Sequence, residues 1–484
     1  MIKKILEIKN LGKFKNPQFG KDNWSGQFEQ TNVIYANNGS GKTTLSLLFR
    51  SLLGENELLL KKKSFGVKEL PEVRMLDETN KEIRFFKGKW NRALENFQIF
   101  DSYYIEDNVY IITLKNNLKT QSIFEILLGE ECVQIQNKIN ALKEESKKLK
   151  NKRTNLRNKK NHAETEEIKN NYVLLMEGNL KERDDLFKNI SLLEAELIDL
   201  SSKHRDEYLI KINEYLRIFN PNLKIGKLSQ FKQKVVYTLQ ISGHSLRTTD
   251  KTNYSLKYSL SEGDKNALSL SFFLAKIDLL PNLQDQTIII DDPITSFDYS
   301  RKNTTTNNLV NLSKKVKLFI LMTHDLTFAN DFSRRLNYKC NNLKIDFNGG
   351  SSQFINHDIE KESLTGVFKD LTVLHEYLLK GAANDTERRD IARCIRPVLE
   401  GIFRIKFFRE IERTEWLGDI LGKIRDSISG SIFEPFKTLL PELSEINDYS
   451  KEYHHSNPYY FETPINDEEL RNYVIRTLDV LKKM

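Results

Sequence analysis

A glycine-rich segment, Ala36–Thr43, directly follows the apolar run Thr31–Tyr35 near the start of the chain. Two glycines in this segment let successive backbone N–H groups turn toward a bound phosphate, and its lysine can reach the β- and γ-phosphates of a nucleotide. The hydroxyl of its last residue, Thr43, is a suitable Mg²⁺ ligand. This order predicts a strand, a phosphate-binding loop and a helix over Thr44–Leu53, and therefore an α/β fold.

Two later apolar runs end in polar residues. Thr287–Ile290 leads into Asp291 and Asp292, and Leu318–Met322 leads toward His324. Such runs predict buried parallel strands, and open α/β sheets bind ligands at the carboxyl ends of their strands. We therefore interpret Asp291 as a Mg²⁺ ligand and Asp292 as the residue that orients or deprotonates the attacking water. His324 suits a sensor of the γ-phosphate.

Together with the loop, these residues resemble the ABC-type ATPase heads of SMC-like proteins. Lys42 and Thr43 match the Walker A motif of that class. Asp291 and Asp292 match Walker B, and His324 matches the switch histidine. The resemblance implies an ABC-type P-loop head with ATP and Mg²⁺ as cofactors, in which Thr43 and Asp291 hold the metal. The nucleotide-binding loop residues that it implies are Asn38, Gly39, Ser40, Gly41, Lys42, Thr43 and Thr44.

A further part of the resemblance lies between residues 261 and 298. Ser261 and Gly263 match the signature motif of the class, and Ser296–Asp298 matches its D-loop. In this class the signature serine contacts the γ-phosphate bound by the other subunit. The resemblance therefore implies a homodimer that sandwiches ATP, alone or within a larger assembly. Ser261 would act in trans, with Gly263 and Asp298 at the nucleotide.

Asp292 stands where most such heads carry a glutamate. With the segment Tyr35–Gly39, the Asp291-Asp292-Pro293 version is similar to a bacterial group that includes the PrrC and RloC anticodon nucleases. That similarity implies a bacterial antiviral defence protein in which nucleotide-dependent dimerisation gates a C-terminal RNase.

Apolar residues at heptad spacing begin near residue 131. Ile135, Leu142, Leu149 and Leu156 recur every seven residues, which is typical of a coiled coil. A second stripe follows a polar segment, so the simplest geometry is two antiparallel helices with arms of about 45 Å, from roughly 30 residues at 1.5 Å each. A helical insert lying on the head fits the same pattern. The second stripe consists of Leu186, Ile190, Leu193, Leu197 and Leu200.

These patterns divide the chain into four parts. The predicted domains are an N-terminal head lobe at 1–130, a coiled-coil insertion at 131–204, a second head lobe at 205–358, and an all-helical effector or partner-binding domain at 360–484.

Two local predictions belong to the second head lobe. They are a polar loop over Ile241–Asn253, and a β-hairpin whose strands Leu343–Phe347 and Ser352–Ile355 flank a Gly-Gly turn.

The helical C-terminal part contains a second candidate site. Arg396 and Glu400 are four residues apart and share a helix face. With His454 or His455 they form a set that can cleave RNA without a metal. Histidine would act as general acid or base, arginine would stabilise the phosphorane, and glutamate would position the 2′-hydroxyl. This set resembles that of the anticodon nucleases. The residues fit an intrahelical salt bridge and a solvated turn equally well.

The composition of the chain indicates which classes of partner and which compartment to expect. A net charge of +8 permits contact with nucleic acid, either tRNA or DNA. The three cysteines form no C-x-x-C pair, which favours a reducing, cytoplasmic compartment, and no apolar stretch predicts a membrane span. A second function stays open: an ATPase sensor that binds nucleic acid or protein and recruits or restrains a separate effector, without a nuclease of its own.

Overall fold

The chain divides into two compact units, a head unit at Met1–Asp358 and a C-terminal unit at Ile359–Met484. Among the described residues, no helix combines the length and the apolar character that a membrane span requires. The computed structural model describes residues 1–20, 23–94, 96–109, 123–231, 234–247, 259–412, 414–453 and 463–484.

The head unit is built from mixed α and β elements, which confirms the predicted fold class. In chain order its elements are β1 (Ile2–Lys9), β2 (Thr31–Ala36), α1 (Lys42–Ser51), α2 (Asn56–Lys61), β3 (Glu72–Asp77), β4 (Glu82–Phe86), β5 (Lys89–Trp90), β6 (Phe97–Phe100), α3 (Ser102–Val109), α4 (Ile123–Asn161), α5 (Glu166–Phe219), β7 (Leu223–Phe231), β8 (Lys234–Ile241), β9 (His244–Arg247), α6 (Glu262–Asp278), a 3₁₀ turn (Leu283–Asp285), β10 (Thr287–Asp291), α7 (Tyr299–Ser313), β11 (Leu318–Thr323), α8 (Leu326–Arg335), β12 (Asn341–Asn348) and β13 (Ser351–Asn356).

A six-stranded sheet forms the centre of the head unit, in the order β13-β12-β2-β11-β10-β6. All neighbours are parallel except β12 and β13, which form the predicted antiparallel hairpin. Every residue of β2 and β11 is buried, as expected for strands covered on both faces. Because β2, β11, β10 and β6 run in the same direction, the residues that follow them converge on one edge of the sheet.

Two smaller antiparallel sheets complete the head unit, β1-β3-β4-β5 and β7-β8-β9. The prediction of a loop over Ile241–Asn253 is wrong at its start, because β9 occupies His244–Arg247. Ser242 and Gly243 both have positive φ, 46° and 87°, which closes a two-residue turn that returns the chain onto β8. Residues 248–258 lie outside the described part of the chain.

Helices α4 and α5 form a long antiparallel hairpin, which is the first of the two geometries that fit the heptad pattern. The helices pack through the stripe residues Ile135 and Ile190, which are buried together with Ile139, a residue outside the predicted stripes. Lys143 on α4 pairs with Glu194 on α5 at 2.7 Å across the same seam. The turn between the helices falls in the predicted polar segment, and Thr165 caps α5 by accepting a hydrogen bond from the backbone of Ile168.

The C-terminal unit is helical and has its own apolar core. The core residues recur at helical spacing, which is the pattern by which the sequence predicted helices here. The elements are α9 (Ile359–Ser363), α10 (Gly366–Lys380), α11 (Asp385–Lys406), α12 (Leu417–Arg425), a 3₁₀ turn (Glu434–Leu439), α13 (Leu440–Lys451) and α14 (Asp467–Lys483).

Candidate nucleotide-binding site

The carboxyl ends of four parallel strands carry the polar residues of the candidate site. The phosphate-binding loop follows β2, Asp101 follows β6, Asp291 ends β10 and Asp292 follows it, and His324 follows β11. The structure thus gathers at one sheet edge residues that are up to 288 positions apart, which is the place where open α/β sheets bind ligands.

The loop has the backbone that a phosphate cradle requires. Gly39 and Gly41 have φ of 80° and 116°, a region that side-chain-bearing residues rarely adopt. A Cβ on Gly41 would also lie 3.1 Å from the ring of Phe14. Helix α1 begins at Lys42, so its first backbone N–H groups are available to an anion at the loop.

Lys42 lies in a network of charged residues at the sheet edge. Its side chain is 8% exposed, its Nζ lies 3.9 Å from Asp291 Oδ1, and it forms a shorter ion pair with Asp292 Oδ2. Asp292 Oδ1 in turn accepts hydrogen bonds from the backbone N (3.0 Å) and Nδ1 (2.9 Å) of His324. The predicted Walker A, Walker B and switch residues are therefore in direct contact.

Burial shifts the pKa values of the ionisable groups in this network. It lowers the pKa of Lys42, an effect that the charge of Asp291 opposes. It raises the pKa of Asp291 to about 6, with Lys42 acting in the opposite direction. Burial and then the charge of Lys42 lower the pKa of His324. The lowered pKa favours the neutral form of His324, and its hydrogen bond to the Asp292 carboxylate assigns a ring proton to Nδ1.

Asp292 has an unusual backbone conformation. Its φ is 48°, in the left-handed region, and its N–H donates to the carbonyl of Met322 at 2.9 Å. Aspartate tolerates this region better than most residues, but the conformation still costs on the order of 1 kcal/mol. Holding Asp292 in this conformation turns its carboxylate toward both Lys42 and His324.

The residues at this edge fit a magnesium ion. Asp291 Oδ1 is buried and accepts no hydrogen bond from any described residue, so it has a free lone pair for a cation. Asp291 and Thr43 offer a carboxylate and a hydroxyl oxygen, the hard ligands that Mg²⁺ prefers when phosphates and water complete its shell.

Two residues of this region were missed by sequence reasoning. Arg50 on α1 makes a buried two-bond contact with Asp101, with Nε–Oδ2 at 2.8 Å and Nη2–Oδ1 at 2.5 Å. Asp101 at the end of a buried strand was the available signal. Lys13 was also missed; its Nζ lies 3.6 Å from the position of a Cβ on Gly39, which places a cation beside the phosphate loop.

The signature and D-loop residues lie together on a second surface. A Cβ on Gly263 would come within 2.9 Å of the carbonyl oxygen of Ser296, so α6 and the D-loop touch at a position where only glycine fits. Asn266 on α6 also donates to the carbonyls of Pro293 (2.9 Å) and Thr295 (3.1 Å). Helix α6 thus holds the segment that follows the Walker B aspartates.

Ser261 and Asp298 are exposed helix caps on this surface. Ser261 begins α6 in a capping box with Asp264: its Oγ accepts from the Asp264 N–H at 3.1 Å. The hydroxyl proton of Ser261 remains available for donation to a ligand. Asp298 caps α7 by accepting from the N–H of Arg301 at 2.9 Å.

In the C-terminal unit, Arg396 and Glu400 are bonded to each other within α11. Glu400 Oε1 accepts from Arg396 Nε at 2.9 Å and from the backbone N–H of Leu417 at 2.9 Å. The Glu400 side chain is only 5% exposed. The pair therefore ties α11 to the start of α12. His454 and His455 lie outside the described residues.

The sequence profile of AAA_13, described as an AAA domain, matches residues 13–186 and 178–438. No curated protein matches the sequence.

Several solved structures match the chain. An Smc head domain with an extended coiled coil, bound to the C-terminal domain of ScpA and derived from Pyrococcus furiosus, is 14% identical with a TM-score of 0.50, covering 78% of this chain and 99% of that chain. A Pyrococcus yayanosii Smc head domain with a coiled coil and joint is 12% identical (TM-score 0.40; 74% and 97% covered). The recombination mediator protein RecF with ATP is 13% identical (TM-score 0.35; 73% and 98% covered). The first of these likenesses shows an SMC-head-like fold.

Proposed function

Because the chain belongs to the AAA_13 family, we propose that its head unit binds ATP with Mg²⁺ at the edge formed by β2, β6, β10 and β11, and hydrolyses it. The contact of Lys42 with Asp291 and Asp292, beside a loop of left-handed glycines, carries this proposal. A buried lysine whose partners among the described residues are carboxylates is ready to exchange them for phosphate oxygens, since carboxylates and phosphates both carry negative charge.

Thr43 and Asp291 would hold the metal, which neutralises phosphate charge when bound. The arriving phosphates draw Lys42 away from Asp292. This exchange frees Asp292 Oδ2, while His324 continues to orient the other carboxylate oxygen. Asp292 then accepts a proton from water or orients the water toward the γ-phosphate. In this scheme the ion pair with Lys42 prevents the Asp292 carboxylate from acting as a base until nucleotide binds.

The active assembly that we propose is a dimer that sandwiches ATP between two heads, alone or within a larger assembly. Ser261 is exposed, begins a helix and retains its hydroxyl proton, so it suits a γ-phosphate held by the partner subunit. Asp298 lies on the same surface and Gly263 is buried beside it against Ser296; both would adjoin the same nucleotide.

The test of the proposal is ATP binding and hydrolysis by the full chain and by Lys42→Ala. We expect wild-type turnover that requires Mg²⁺, and loss of both binding and turnover in the variant. Lys61→Ala removes an exposed lysine on α2 and serves as the matched control. Undiminished nucleotide affinity in Lys42→Ala would refute the assignment of the loop.

A second candidate function belongs to the C-terminal unit: an RNase that the nucleotide state of the head gates, in bacterial antiviral defence, as in the anticodon nucleases. One observation favours it. Arg393 on α11 donates to the carbonyl of Tyr453 at 2.9 Å, so the chain leading to His454 is anchored on the helix that carries Arg396. The burial of Glu400 instead favours a structural role for the pair and thus the alternative, a sensor that recruits or restrains a separate effector.

These two roles are separated by incubating the full chain with total tRNA, with and without ATP. The RNase proposal expects cleavage that Arg396→Ala and the double variant His454→Ala/His455→Ala abolish. Arg425→Ala, an exposed arginine on α12, is the control. Cleavage that survives both variants would remove these residues from the mechanism, and no cleavage under any condition would favour the sensor.

A further inference from the structure

The distal part of α4 carries an unusual run of positive charge. Residues 146–163 contain no carboxylate. On α5, by contrast, the residues that pack alongside mix both signs. The eight cations of this run, which we call the basic stretch, are Lys147, Lys148, Lys150, Lys152, Arg153, Arg157, Lys159 and Lys160.

The cations of the basic stretch are almost all unneutralised. Within the described part of the chain only Lys147 has a carboxylate partner, Glu144 at 3.7 Å. On α5 the situation differs: Lys169 pairs with Glu166 at 3.1 Å and Lys188 with Asp185 at 3.6 Å. The two helices of the hairpin therefore present different electrostatic surfaces, one cationic and one nearly balanced.

Helical geometry arranges part of the stretch as a row. At 3.6 residues per turn, Lys148, Lys152 and Lys159 fall within about 40° of one another around the α4 axis. All three are exposed, and they span about 16 Å along the helix. Leu149 is buried in the seam with α5 and Leu156 is half-buried, so the row lies on the flank of the hairpin and is open to solvent.

We propose that this flank of the hairpin binds the phosphate backbone of double-stranded nucleic acid, independently of sequence. About 16 Å of duplex carries about nine phosphate charges on its two strands, so phosphates outnumber the three cations of the row. The inference does not depend on ATP hydrolysis by the head.

The chemistry of the flank disfavours other partners. A protein interface needs apolar or aromatic residues at its centre, and a membrane-surface helix needs an apolar face; residues 147–160 offer only Leu149 and Leu156, which face α5. Single strands are held by stacking on aromatic side chains, and the stretch contains none. Contacts to phosphates require only the charges that are present.

The test measures binding of a fluorescent 30-base-pair DNA duplex, and of an RNA duplex of the same length, to the full chain across a salt series. The variant is Lys148→Gln/Lys152→Gln/Lys159→Gln, because glutamine keeps helix propensity. Its matched control, Lys169→Gln/Lys181→Gln/Lys188→Gln, removes the same charge from α5. We expect the α4 variant to bind at least tenfold more weakly at 0.1 M salt, with a salt slope shallower by roughly 2 to 3 units.

The control should change affinity by less than threefold, and both variants should keep wild-type ATP turnover and helix content. Equal losses in both variants would show a response to net charge alone and would overturn the proposal. So would the absence of duplex binding in the wild type, or binding of a single strand or of anionic vesicles in preference to duplex. A preference between the DNA and RNA duplexes would identify the natural target.

Discussion

At the scale of single residues, the site depends on groups whose charged forms are held out of water. Lys42 and Asp291 are both largely buried, and each stabilises the charge of the other. This arrangement lowers the free energy of unfolding of the nucleotide-free protein, because burial favours the neutral form of each group. In the proposed function, the same groups supply affinity for phosphate and metal.

A substitution at Asp291 measures how much the buried, ionised carboxylate destabilises the fold. The pKa of Asp291 is raised to about 6 from 3.8, so the folded state holds the proton more tightly than the unfolded state. The stability that this group contributes is therefore present at about pH 4 and is lost as pH rises toward 6. Asp291→Asn should stabilise the nucleotide-free protein at pH 7.5 by on the order of 1 kcal/mol, and by little at pH 4.5.

Urea unfolding at the two pH values, followed by circular dichroism, checks this expectation. Asp285→Asn, an exposed carboxyl outside the site, is the control. The same Asp291 variant should lose Mg²⁺-dependent ATP turnover. A variant that is less stable than wild type at pH 7.5 would contradict the account of the buried carboxyl.

Lys13 gives a second prediction at this scale. Its ammonium lies beside Gly39 in the phosphate loop. Lys13→Gln should raise the KM for ATP several-fold, since about 1 kcal/mol of phosphate attraction corresponds to that factor, with little change in kcat. Steady-state ATPase assays measure both constants. An unchanged KM would place Lys13 outside the nucleotide site.

At the scale of elements, α6 connects the two surfaces of the head. It begins at the signature residues and holds the segment after Asp292 through Asn266, while Gly263 lies against the D-loop carbonyl. A displacement of the D-loop would therefore have to break these contacts or displace α6 as well. The sequence predicted this helix and its motifs, but only the packing shows that the helix and the loop are in contact.

Gly263→Ala tests this contact. The added methyl group would lie 2.9 Å from the Ser296 oxygen, so the loop must give way. We expect ATP binding by the monomer within about twofold of wild type, and turnover reduced at least tenfold because the dimer surface is displaced. Equilibrium binding and ATPase assays separate the two effects. Gly418→Ala, with open space at its Cβ position, is the control, and equal activity in both variants would contradict the coupling.

At the scale of the whole molecule, the proposed dimer makes each site depend on a second chain. In that dimer, Lys42 would bind the nucleotide from one side, and Ser261 of the opposite head would complete the site. In the proposed cycle, hydrolysis separates the heads, so a variant that binds ATP but cannot hydrolyse it should stay closed.

Asp292→Asn is that variant, because it keeps the shape of the side chain and removes the basic carboxylate. We expect ATP to shift it from monomer to dimer in light scattering, while ADP does not. Adding Ser261→Ala to it should abolish the shift. A mass that is the same with ATP, ADP and no nucleotide would rule out the sandwich.

Sequence alone determined the α/β class, the strand–loop–helix at Thr31–Ser51, the helical hairpin and the chemistry expected of Lys42, Asp291, Asp292 and His324, because periodicity and glycine placement act locally along the chain. It did not determine that Arg50 pairs with Asp101 or that Asp292 adopts a left-handed backbone. It also did not determine that Glu400 is buried and accepts a hydrogen bond from the backbone N–H of Leu417. These features arise only when distant segments pack together, since burial and the contacts across it, not residue type, fix which charges are paired and which remain free for a ligand.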